Sequence, residues 1–94
     1  MAYMNPSMVR SPKGRVADLD VLHDGGEGSF SIARMTWDGT PDVIGVRWNG
    51  GTTEGLGNPQ SRGIATWFIL PEPLAAHAIS WSVSQVPSES EPIS

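Results

Sequence analysis

The residues that could do chemistry in this 94-residue chain are few and scattered. His23 and His77 are the only imidazoles, and cysteine is absent. Neither histidine has a carboxylate at helical ligand spacing together with a third donor, so no metal is expected. His23-Asp24 falls at a predicted strand end, where Asp24 reads first as a turn former. A catalytic His–Asp pair also needs a placed nucleophile, which spacing alone does not supply. Gly55-Leu56-Gly57-Asn58-Pro59-Gln60 opens like a dinucleotide loop, but it lacks the third glycine and a following strand-to-helix unit. It also lacks the Lys-Ser/Thr of a triphosphate loop. These patterns define no catalytic residue and no cofactor.

The densest set of donors and acceptors lies in residues 49–63, a loop with five glycines. Loops of this length are uncommon in compact domains and are often functional. Glu54, Asn58, Gln60 and Arg62 offer polar groups of both signs, and the glycines let backbone amides approach a ligand. The competing reading makes the loop a plug over an open barrel end, with Leu56 as the stopper. Trp67 and Trp81 complete the candidate contact set as aromatic surfaces. Arg34 and Arg47 fall inside predicted strands and point to opposite faces. Each is expected to pair with an acid such as Asp18 or Asp20; the alternative is a cation–aromatic patch beside Trp48 or Trp67.

The elements that position these residues are short. Residues 1–14 read as a flexible arm broken by Pro6, Pro12 and Gly14, and 86–94 as a disordered acidic tail. One β domain spans 15–85. Strands are predicted at about 15–22, 29–37 and 43–48, with a strong turn at Asp24-Gly25-Gly26-Glu27-Gly28. The turn over 38–42 is expected to be wide, because a two-residue hairpin at Asp38-Gly39 would put Pro41 inside a strand. The apolar run 64–70 reads as a central, doubly buried strand. Pro73 then opens a single helical turn to His77. Ile79, Trp81 and Val83 alternate with serines, which predicts a fifth strand; a helix over 73–82 is the alternative. Trp37 and Trp48 fall on opposite faces of one hairpin, as two anchors for a sheet that is apolar on both sides. Such a sheet must curl or be covered twice.

The fold class is therefore all-β: a small five-stranded antiparallel sheet curled into a half-open barrel. Its strand layout resembles SH3-like barrels, and that resemblance transfers no activity. Four segments, Asp24–Gly28, Met35–Gly39, Val46–Gly50 and Gly57–Gly63, resemble small uncharacterised bacterial proteins of the kind carried on mobile (integron-type) gene cassettes. That resemblance implies no assigned activity.

Arg10, Lys13 and Arg15 carry the charge of the first 15 residues, and the remainder is acidic, for a net charge of −4. An acidic body argues against duplex nucleic acid. No apolar run of membrane-spanning length occurs, and without a leader pattern or cysteine the expected compartment is the cytoplasm. The first functional expectation is a non-catalytic binding or interaction module for a peptide or small polar ligand, or a homodimer or higher homo-oligomer. The alternatives are a small enzyme using Glu54, Arg62 and His23 on a polar metabolite, and a single-stranded nucleic-acid binder.

Overall fold

The structure, a computed structural model, describes residues 5–51 and 55–85. The framework is mostly β. Strands β1 (Val16–Asp24), β2 (Phe30–Trp37) and β3 (Thr40–Trp48) pair antiparallel in succession. β4 (Gln60–Ser61) and β5 (Ile64–Ala65) form a separate two-stranded hairpin, and β6 (Phe68–Ile69) returns to pair with β3. The main sheet therefore runs β1-β2-β3-β6 and ends in helix α1 (Glu72–Gln85). Among the described residues it stays open, so the five-stranded half-open barrel is replaced by a four-stranded sheet covered on both faces.

Three local expectations are corrected. The predicted fifth strand at 79–83 is the second half of α1, which also absorbs the predicted single turn at 73–77. Its half-buried or buried residues are Ala75, Ala78, Ile79 and Ser82, a helical i, i+3, i+4, i+7 stripe built largely from small side chains. Leu74-Ala75-Ala76 favours helix, and the Ser82 hydroxyl donates back to the Ala78 carbonyl at 2.8 Å, which keeps a serine compatible with it.

The run 64–70 is not one central strand. It breaks at Thr66 and Trp67, because the backbone partners there are not strands. The Thr66 amide donates to Pro59 O at 3.1 Å, and the Thr66 carbonyl accepts from Arg47 at 2.5 Å. Trp67 turns inward and donates its indole N–H to Val9 O at 2.8 Å.

The β2–β3 connection is the tight hairpin, with Asp38 and Gly39 at φ 53° and 88°, the signs of a type I′ turn. Pro41 does sit inside β3. It is tolerated because the register slips between Met35↔Val43 and Trp37↔Thr40, leaving Pro41 and Asp42 opposite Thr36. Asp42, at φ 59°, carries the strain of that bulge.

The two faces of the sheet are buried differently. On one, Ala33 and Met35 pack with Ala65, Trp67 and Val9. Pro6 and Val9, within the stretch read as an arm, are buried, and the Thr66 hydroxyl donates to Ser11 O at 2.7 Å. Gly45 lets this layer close: a Cβ there would lie 2.9 Å from Met35 Cε and 3.0 Å from Trp67 Cβ. On the other face Ile32 and Ile44 are buried, and α1 packs against β1 and β3.

Candidate functional site: an aromatic groove beside a pinned loop

Sheet register places four apolar side chains on the face that α1 covers only in part. Phe30 stands opposite Trp48, and Val46 stands opposite Phe68. Cross-strand pairs share a face, so all four line one surface. Trp48 is 58% exposed and Phe68 59%, whereas Ile32 and Ile44 on the same face are buried. The exposed end forms a groove of about 530 Å3, lined by Phe30, Val46, Trp48 and Phe68 with Asn58 and Pro59 at its rim. That volume is in the range of a small-ligand or side-chain site. Trp37 and Trp48 do lie on opposite faces. Trp37 packs against the core, but the Trp48 side chain is more than half exposed, with the Phe30 ring against it.

The groove wall continues under α1 as a row of rings. Phe30 meets Trp48 edge-on at 6.0 Å and Trp81 at 5.3 Å. His23 lies 4.8 Å from Trp81 in a T-shaped contact and 5.2 Å from Phe30. Ring pairs at these distances are favourable beyond simple burial. Trp81 thus reaches the groove through Phe30, and His23 serves in an aromatic stack.

The loop after Trp48 forms the groove's rim, and the sequence dictates how it is held. Trp48 and Asn58 exchange backbone hydrogen bonds at 2.7 and 3.2 Å. Gly50 and Gly57, at φ 85° and 80°, cross so closely that a Cβ on Gly57 would overlap the Trp48 carbonyl oxygen. Asn49 is fully buried, accepts from the Ser31 hydroxyl at 2.6 Å and donates to Gly26 O at 2.8 Å.

Arg47 completes the clamp. It is 2% exposed, and its guanidinium donates to the carbonyls of Leu56, Pro59 (3.4 Å) and Thr66 (2.5 Å). Its buried Nε has no partner among the described residues. Burial pushes its pKa below the ordinary value, because desolvation disfavours the charged form. The expected ion pair with Asp18 or Asp20 is not made; Asp18 instead accepts from the Thr36 hydroxyl at 2.9 Å. Arg47 points to the inner face, where loop carbonyls surround it. Arg34 is exposed on the other face and lines a small cavity with Leu22 and Ile79.

Of the sequence-derived site residues, only Asn58 lines the groove directly. Gln60 donates to Gly57 O at 2.8 Å and braces the loop. Arg62, at φ 54°, heads the exposed turn between β4 and β5. Trp67 is a core residue at 3% exposure. Glu54 lies outside the described residues. Phe30, Val46, Trp48 and Phe68 were missed as a set. Their shared face follows from strand alternation, but their exposure depends on how far α1 extends over the sheet. Among the described residues, no cluster of three or more His, Asp or Glu could hold a metal ion. No helix there is long and apolar enough to cross a membrane. Compared with known proteins, the chain matches no family, no curated protein and no solved structure. Chemically, the site offers an apolar aromatic cleft with one amide side chain at its rim.

Proposed function

We propose that this chain is a non-catalytic binding module that takes a short extended segment of a partner, seating one or two large apolar side chains in the groove. The observation that carries this reading is the pair of open aromatics, Trp48 and Phe68, on a single groove wall. Exposed aromatic clusters rimmed by polar groups are characteristic of recognition surfaces.

The size of the patch selects the partner. Two half-exposed aromatics offer roughly 200–300 Å2, whereas a stable dimer needs about 800 Å2 per partner. Charge selects it further. Among the described residues, Arg47 is the only charged residue lining the groove, and its guanidinium is engaged with carbonyls, so no free cation among them meets a phosphate there. That favours a peptide over single-stranded nucleic acid, which requires a cationic track beside the stacking rings.

Selection of displayed random peptides against the intact chain tests the reading. Selected peptides should carry aromatic or large aliphatic residues. Their affinity should fall more than tenfold, about 1.4 kcal/mol or more, for W48A and for F68A. Both variants should keep the parent melting temperature within a few degrees, since both side chains are already open to water. Peptides that bind W48A and F68A as well as the parent would rule out the groove.

A further inference from the structure

A second surface, with a different chemistry, lies on the side of the sheet that the N-terminal segment closes. Met8, Arg10, Lys13, Val16, Ile64 and Ala65 line a cleft there of about 520 Å3. None of them lines the aromatic groove. The volume is in the range of small-ligand sites. Met8 is 65% exposed and Ile64 57%, so much of the lining is apolar and open to water. Covering it releases that water, which favours a ligand with an apolar part.

The cleft stands on pinned backbone. Trp67 donates its indole N–H to Val9 O at 2.8 Å, and the Thr66 hydroxyl donates to Ser11 O at 2.7 Å. The Arg15 and Val16 amides donate to Pro12 O at 2.9 and 3.2 Å. These bonds tie the segment that carries Met8, Arg10 and Lys13 to β1 and to the residues that follow β5. Little backbone is left to order when a ligand enters.

Two cations border the apolar lining. Arg10 donates from Nε to Ser7 O at 3.1 Å, and its terminal nitrogens have no acceptor among the described residues. Lys13 has neither a hydrogen bond nor an ion pair among them. Arg15, the third cation of the segment, meets Asp38 at 4.0 Å instead. Among the described residues no acid lines the cleft. Two unpaired cations beside an apolar floor complement an anionic head that carries an aliphatic tail. The charge of the whole chain limits the size of that anion. At net −4 the chain repels an extended polyanion, such as an anionic membrane, across a Debye length. A single carboxylate pays less of that repulsion and still meets both cations at contact. We propose that this cleft binds a small amphiphilic monocarboxylate, with its carboxylate against Arg10 and Lys13 and its aliphatic chain on Met8, Val16 and Ile64.

Amide NMR on the intact chain tests this, with hexanoate, hexanamide and acetate as probes at constant ionic strength. Hexanoate should give saturable shifts at Met8, Lys13, Gly14 and Ile64, with a dissociation constant on the order of 10 mM for so small a ligand. Hexanamide, of the same shape without the charge, should bind there about fivefold more weakly. Acetate, without the tail, should not saturate. R10Q/K13Q should weaken hexanoate about fivefold and leave hexanamide unchanged. Hexanamide binding the parent cleft as tightly as hexanoate would overturn the proposal, and that comparison needs no variant. So would hexanoate shifts absent from those four amides, or hexanoate binding to R10Q/K13Q as tight as to the parent. Phosphatidylglycerol vesicles that sediment the parent but not R10Q/K13Q would also overturn it, by assigning the cleft to a lipid surface.

Discussion

A guanidinium held by carbonyls, with no carboxylate in contact among the described residues, behaves differently from a salt bridge. Arg47 stabilises the fold by donating to three loop carbonyls, two of which accept no other hydrogen bond among the described residues, at the cost of desolvating its charge. Removing it takes this donor from the Leu56 and Thr66 carbonyls, while the Pro59 carbonyl keeps the Thr66 amide. R47M, of similar length, should therefore lower unfolding stability by about 3 kcal/mol in chemical denaturation. R47K, which keeps the charge but not the fork, should fall between the two. An R47M variant as stable as the parent would mean that the loop is held by other contacts. The residue scale was only half legible in sequence. That Arg34 and Arg47 face opposite ways followed from alternation, but the partners of Arg47 did not, because Leu56, Pro59 and Thr66 contribute backbone oxygens rather than side chains. Asn49 was hidden for a similar reason: it looked like a turn residue, and its turn happens to be buried against Ser31 and Gly26.

At the scale of elements, the first three strands were readable from alternation and turn chemistry, and the errors mark where local rules lost to packing. In β1 the inward residues are Val16, Leu19 and Val21, not every second residue, because a register shift between Ala17 and Asp20 puts Asp18 at φ 53°. In α1 the covering stripe uses Ala75, Ala78 and Ser82, which carry little hydrophobic signal, while Val83 points out at 67% exposure. The alternation Ile79, Trp81, Val83 thus mimicked a strand. The Gly50–Gly57 crossing is the element most dependent on residue size. Both positions need positive φ and close backbone approach. G57A should cost more than about 2 kcal/mol, since the Trp48 carbonyl and the Gly50 nitrogen block a methyl. G14A, also at positive φ but facing open space, should cost about 1 kcal/mol. Equal losses in thermal denaturation would show that backbone strain, not the crossing, sets the requirement.

At the scale of the whole molecule, one sheet carries two coverings of unequal extent. The N-terminal segment and Trp67 close one face, and α1 closes only part of the other. The incomplete covering leaves Trp48 and Phe68 open beside a loop that Arg47 and the glycine crossing hold in place. Rigid support under exposed rings is what a recognition site requires, because little ordering entropy remains to be lost on binding. The sequence predicted a sheet that had to be covered twice; the gap in the second covering could not be read from it, since that depends on where a helix of small residues lies.

The most direct test is a titration of the isotopically labelled chain with a short neutral peptide bearing one central Trp or Leu. The account predicts saturable amide shifts that peak at Val46, Trp48, Asn58 and Phe68, with a dissociation constant of roughly 0.1–1 mM for a single seated side chain. Shifts that peak instead at Met8, Lys13 and Ile64, or that never saturate, would contradict it.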